Sequence, residues 1–174
     1  MLKRSFTIII IMFIFFVSAY SAPVNGELAA GIIDTVRLSE SDIPEGYMFG
    51  KIPEGVKPTL HDNPWKFDQA AITRLASVIY PEGDATSMGA VHFTIVTKKE
   101  MPYGDDIVCY LFLYKSASAA EKEIAKIKEY SEMNSDRVFY SVHDNIVVFM
   151  LVDDVEDYPV MRSLAEVVDN RFPK

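Results

Sequence analysis

The chain has 174 residues, 49% of them hydrophobic, with 17 Lys and Arg against 25 Asp and Glu and a formal net charge of −8. A negative field of that size repels phosphate backbones and anionic lipid, which excludes nucleic acid as an expected partner. The single cysteine excludes an internal disulfide, so a chain of this length must hold one core together by packing alone.

Residues 1–21 read as a cleaved secretory signal. Lys3 and Arg4 precede an apolar run from Phe6 to Val17, and small residues follow. The run falls short of the roughly 20 apolar residues of a membrane-spanning helix, which argues against an uncleaved anchor. Cleavage after Ala19 and cleavage after Ser21 satisfy the small-residue requirement equally. No cysteine lies near the processing site, so lipid attachment has no acceptor thiol. Removing the signal takes away two basic residues and no acid, leaving 15 against 25, or −10. The product is expected to be periplasmic or secreted and to have no integral membrane span.

Residues 22–40 begin with "APVNGELAAG", which reads as a linker, and continue with "IIDTVRL", Ile32 to Leu38, a candidate short strand. Residues 41–174 are expected to form a single domain. It opens on an irregular segment holding Pro44, Pro53, Pro58 and Pro64 with Gly46, Gly50 and Gly55. Connections above roughly 12 to 15 residues are uncommon in compact domains, and Tyr47, Met48, Phe49 and Trp65 argue that this one wraps over the body of the fold. A helix is predicted from Asn63 to Tyr80, with Pro64 suited to its first position and Asp68 a second candidate cap. Its apolar set is Ala71, Ile72, Leu75, Ala76 and Ile79, and Pro81 stops it.

A strand from Gly89 to Thr97, a loop from Lys98 to Asp105 with Pro102 and Gly104, and the stretch Asp105 to Ser116 that it leads into make a hairpin. Ser118 and Glu121 have the spacing of a capping box, and Ala120, Ile124, Ile127 and Tyr130 form the apolar stripe of the helix that follows. Glu121, Lys122, Glu123, Lys126, Lys128 and Glu129 then read as its solvated face, with Glu123 and Lys126 close enough to pair weakly. A second hairpin runs from Arg137 to Val142, turns over His143, Asp144 and Asn145, and returns from Ile146 to Val152. The last helix, Tyr158 to Arg171, turns Met161, Leu164 and Val168 inward behind Asp157 as cap. The whole predicts an α+β fold: an antiparallel sheet of four strands, or five, from two hairpins each followed by a helix, with an additional N-terminal helix.

The stretch "DDIVCYLFLYKS" is apolar at every position from Ile107 to Tyr114, so its strand needs cover on both sides. Aligning Val91, Phe93 and Ile95 with Leu113, Leu111 and Cys109 collects an aliphatic face and sends His92, Thr94, Tyr110 and Phe112 to the other. The three-residue turn of the second hairpin adds Phe139, Ser141, Val147 and Phe149 to that aromatic side. Both helices that follow hairpins are expected on the aliphatic face. Tyr110, Phe112, Tyr114, Phe139 and Phe149, with His92, then form a surface whose exposure would forgo roughly 1.5 to 3 kcal/mol per Phe-sized side chain. Two kinds of cover are open: the chain itself, through the Asn63–Tyr80 helix or the segment with Phe49 and Trp65, or a ligand groove or self-association surface.

Motifs that name a chemistry are lacking. The register places His92 and Cys109 on opposite faces, His61 and His143 sit in turn-like contexts, and no His or Cys pair has metal-ligand spacing. Asp153, Asp154, Glu156 and Asp157 read as a strand exit and helix cap rather than a calcium loop. The glycines are scattered, and no nucleophile elbow is present. The expected function is an exported binding module with no cofactor or metal, taking a protein partner, a second copy or a small apolar ligand on the aromatic face. The alternatives are a hydrolase-like enzyme whose carboxylates meet only in the fold, and a structural component of an envelope assembly.

Overall fold

Residues 26–51, 66–104 and 106–173 are described in the structure, a computed structural model. The segment read as a signal, residues 52–65 of the Pro and Gly-rich stretch, and Trp65 with them, lie outside the described residues. In chain order the elements are α1 (Gly26–Val36), β1 (Tyr47–Phe49), α2 (Gln69–Ile79), β2 (Met88–Lys98), β3 (Ile107–Tyr114), α3 (Ala117–Met133), β4 (Val138–His143), β5 (Ile146–Val152) and α4 (Tyr158–Asp169). Short 3₁₀ turns at Glu40–Asp42 and Val155–Asp157 complete it. The strands make one antiparallel five-stranded sheet in the order β1-β2-β3-β5-β4.

This is an α+β fold, as the patterning predicts, but its helices lie on both sides of the sheet. Ile33 and Val36 of α1 and Met161, Leu164, Ala165 and Val168 of α4 pack on Cys109, Leu111, Val148 and Met150. On the reverse, Ala71, Ile72 and Ala76 of α2 and Ala120 and Ile127 of α3 pack on Val91, Phe93, Phe112, Val147 and Phe149. The expectation that α3 joins α4 on the aliphatic face is therefore corrected. What displaces it is α1, formed by the stretch read as a linker and strand: Ile32, Ile33 and Val36 suit a helical face as well as a strand. Contact with β2 and β3 decides between them, because packing of an apolar face outweighs weak β-branched propensity.

Local signals set the helix ends. Asp68 caps α2 through its side chain, which accepts from the Ala71 amide, and Tyr80 leaves the helix in extended conformation before Pro81. Ser116, not Ser118, caps α3, accepting from the Ala119 amide, so the predicted capping box is not used. Beyond α2, Gly83 lies so near the Ala76 carbonyl that an added Cβ would sit 2.2 Å from its oxygen, a close approach only glycine permits.

Both hairpin registers differ by one residue from the sequence alignment, and a slip of one exchanges the faces. Phe93 pairs with Tyr110 and Val91 with Phe112, while His92 lies opposite Leu111 and Thr94 opposite Cys109. His92 thus leaves the aromatic face and shares the aliphatic one with Cys109. The loop fixes this pairing: the Asp106 carboxylate accepts from the Lys98 amide and the Thr97 hydroxyl, and a bulge between Met88 and Ala90 absorbs the misfit at the far end. In the second hairpin the turn is two residues long. Asp144 takes a left-handed φ of 57°, and Asn145 is buried, its side-chain amide donating to the Tyr114 carbonyl. His143 therefore pairs with Ile146 and Phe139 with Met150, which moves Phe139 to the aliphatic side, opposite the expectation. Phe49, beside Val96 at the first edge, packs on that side too.

Tyr110, Phe112, Tyr114 and Phe149 do share a face, and the chain itself covers it. Phe112 and Phe149 are 0% exposed beneath Tyr80, which meets both edge-on at 5.6 and 6.2 Å between ring centroids. Tyr110 stacks on Phe112 at 5.8 Å and is half-buried. Truncating Phe112 to Ala is expected to cost about 3–5 kcal/mol in urea unfolding, the cost of a cavity in a core. A variant as stable as the parent would show this ring to be a surface group.

Candidate functional site

Tyr110, Phe112, Tyr114 and Phe149 come together as a core layer, with His92, Phe139 and Phe49 across the sheet from them. The groups able to do chemistry or meet a partner gather elsewhere, in three polar clusters and along the edges of the sheet.

The first cluster is one that sequence reasoning missed. Glu123 is 2% exposed, and its carboxylate accepts from the Tyr80 hydroxyl at 2.6 Å, the Asp84 amide at 3.0 Å and the Lys126 ammonium at 2.7 Å. Tyr80 and Tyr114 hydroxyls meet at 3.0 Å; since Tyr80 gives its proton to Glu123, Tyr114 donates to Tyr80. Burial first raises both phenols above their ordinary range; Tyr114 and Glu123 add to the rise at Tyr80, whereas the bond to Tyr80 offsets part of the rise at Tyr114. Lys126 also donates to the Glu82 carbonyl, so α3, the end of α2 and the turn after it are tied at one carboxylate. The signal was in the spacing: 120, 123, 127 and 131 are the buried positions of α3, and Glu123 lies within the stripe of Ala120 and Ile127. Both oxygens of the Glu123 carboxylate and both phenol hydroxyls are engaged internally. Replacing Glu123 with Ala is expected to cost about 3–5 kcal/mol, because buried partners are left unpaired, and Lys126→Ala under about 1 kcal/mol, because that ammonium reaches water. Chemical denaturation giving equal, small losses would mean that Glu123 is a solvated residue after all.

The second cluster joins distant parts of the chain at the first edge. Asp157, at the N-cap position of α4, does not cap; its buried carboxylate accepts from the Tyr47 hydroxyl at 2.5 Å and pairs with Lys98 at 2.9 Å. Burial and that carboxylate push the Tyr47 phenol up to about 12. Asp154 caps the preceding turn, accepting from the Glu156 amide. The third cluster has the composition of a nucleophilic triad: Ser141, His143 and Asp169. Its geometry does not. Ser141 donates to Asp169 Oδ1 at 2.5 Å, and His143 Nε2 lies 3.0 Å from that same oxygen and 3.3 Å from the hydroxyl. A triad needs the carboxylate on the other ring nitrogen, so that the histidine can take the serine proton; here the serine proton already belongs to the carboxylate. His143 is instead stacked on Phe172 at 3.7 Å, closing the end of α4 onto β4.

Cys109 and His92 share a face but not a rung. Burial pushes the Cys109 thiol up to about 12, far from a reactive thiolate. His92 is 6% exposed, and its Nδ1 has no hydrogen-bond partner among the described residues. Burial, helped by the Lys66 charge, lowers its pKa from 6.5 to about 4. Between those values the folded state holds fewer protons than the unfolded one. Stability contributed by the neutral ring is therefore full above pH 6.5 and is lost as pH falls toward 4, on the order of 2–3 kcal/mol in all. Urea midpoints at pH 7 and pH 5 are expected to converge in His92→Leu and to differ in the parent; the same difference in both would assign it to other groups.

Clefts lined by described residues are open and rimmed with charge. One of about 550 Å³ beside β1 carries Glu40, Glu45 and Lys99 around Met48, and one of about 620 Å³ at the start of α2 carries Lys66 and Asp68. Neither is the dry cavity that a small apolar ligand would need. No group of three or more metal-ligating side chains is found among the described residues, and no described helix is long and apolar enough to cross a membrane.

The two edges of the sheet differ. β1 has three residues, follows Pro44 and the left-handed Gly46, and turns its Tyr47 amide back to the Pro44 carbonyl. β4 has six, "VFYSVH", without proline, charge or bulge, in unbroken register with β5. The Val152 amide donates to the Arg137 carbonyl, which sets the alternation: Phe139, Ser141 and His143 bond to β5, and the backbone groups of Val138, Tyr140 and Val142 point outward. The Val138 amide is used by the Asn134 carbonyl; those of Tyr140 and Val142 have no partner among the described residues. Val142 is 41% exposed. No family model, curated protein or solved structure matches the chain.

Proposed function

We propose that this is an exported interaction module that takes a partner by adding a strand to the outer edge of β4. Export rests on the charged, apolar and small-residue pattern of residues 1–21. The binding mode rests on one observation: the backbone donors and acceptors of Tyr140 and Val142 face outward from an uncharged, unbulged edge strand. Proteins usually blunt such an edge with lysine, proline, a bulge or brevity, as the β1 edge is blunted here. An edge left open is a template for a further strand, with main-chain hydrogen bonds giving affinity and alternate side chains giving selectivity. The aromatic face, in this reading, acts as the rigid floor that holds β4 in place rather than as the contact itself.

A capped, fluorescent peptide of residues 137–143 serves as an extended probe. Its anisotropy is expected to rise with added protein, and Val142→Pro is expected to weaken binding about tenfold, the loss of one or two ladder hydrogen bonds. Proline at 142 removes only an outward amide, so the sheet keeps its own bonds. Equal binding to the variant would overturn the edge as the site.

A further inference from the structure

The β4 edge is complementary to itself, and we infer that its partner is a second copy of this chain, joined antiparallel so that two five-stranded sheets become one continuous sheet across a two-fold axis. The inference rests on the strand-addition reading and names its occupant. The outward positions Val138, Tyr140 and Val142 are centred on Tyr140. Antiparallel pairing about that centre lets each Tyr140 exchange both backbone groups with its copy. It also lets the Val142 amide of each chain donate to the Val138 carbonyl of the other, the one backbone group of Val138 that its own chain leaves outward.

The side chains agree with that register on both faces. On the α3 side, Val138 meets Val142 and Tyr140 meets Tyr140, β-branched and aromatic pairs of the kind that stabilise neighbouring strands. On the α4 side, Phe139 comes opposite Ser141 of the other chain. The Arg162 guanidinium lies over Phe139 at 4.1 Å, and Ser141 is bound to Asp169. Each interface thus brings Arg162 of one copy toward Asp169 of the other, twice by symmetry, which a parallel pairing would not do. Beyond the ladder, Asp136 and Asp144 come opposite each other with Arg137 beside them. Those charges oppose longer pairing and so confine it to the six-residue strand, closing the assembly at two copies.

Sedimentation equilibrium on the purified soluble chain tests this. The parent is expected at twice the chain mass, and Val142→Pro and Val142→Lys at the single mass with unchanged far-ultraviolet circular dichroism. Register is tested separately by cysteine. Tyr140→Cys places two thiols across an antiparallel pair with Cα atoms about 5.5 Å apart, within disulfide reach, so a mild thiol oxidant is expected to give a covalent dimer. Val142→Cys faces Val138 and is expected to give none; buried Cys109 contributes to neither. A parent at single mass at every concentration, dimers persisting in both Val142 variants, or cross-linking at 142 rather than 140 would each overturn the inference. If the parent is monomeric while the residue 137–143 peptide still binds at β4, the second copy is wrong and the strand-addition reading stands; if neither associates, both fall.

Discussion

Apolar contact on both sides of β3 is the constraint from which the rest of this fold follows. With Cys109, Leu111 and Leu113 on one side and Val108, Phe112 and Tyr114 on the other, all buried, the strand is stable only inside a sheet covered twice. Antiparallel sheets commonly keep one face in water; this one does not, so the four helices among the described residues divide two and two across it. Once both faces are spent on helices, only the edges of the sheet can present it to anything else. Function in such a molecule is therefore sought at edges and rims.

Two buried carboxylates show how the layers are locked. Glu123 ties α2 to α3 above the aromatic layer, and Asp157 ties β1 and β2 to the start of α4 on the other side. Both are acids that could have suggested catalysis by their surroundings, since each sits with tyrosine and lysine. Glu123 is saturated by its own neighbours, and Asp157 holds the Tyr47 hydroxyl on one oxygen and faces the Lys98 charge with the other, so each burial has a structural use. The Ser141, His143 and Asp169 group makes the same point by geometry, with the serine proton already given to the carboxylate.

Much of this was readable from the sequence. The apolar period of α2 and α4, the strands β2, β3 and β5, and the need for a second cover over Phe112 and Phe149 all follow from residue spacing. What was not readable depends on contacts between distant residues. β3 is apolar on both sides, so matching aliphatic residues could not choose the register of its hairpin with β2; the Asp106 carboxylate and the Met88 bulge chose it. The second hairpin turned on whether one more residue belonged to the turn, which Asn145 decides by binding Tyr114. Each slip reversed a strand, and that is why His92 and Phe139 left the aromatic face. Ile32 to Val36 fits helix and strand alike, and only its docking on β2 and β3 settles it. Glu123 was legible in principle, being spaced with Ala120 and Ile127, but its charge argued for the surface.

Backbone hydrogen exchange, residue by residue, tests the central claim most directly: a sheet sealed on both faces with one edge left open. In dilute protein, below the concentration of association, amides of Val108, Tyr110 and Phe112 in β3 are expected to be the slowest to exchange, at the rate of global unfolding, while those of Tyr140 and Val142 exchange fast within an otherwise protected hairpin. Fast exchange across β3, or full protection of Tyr140 and Val142 in the isolated chain, would contradict it.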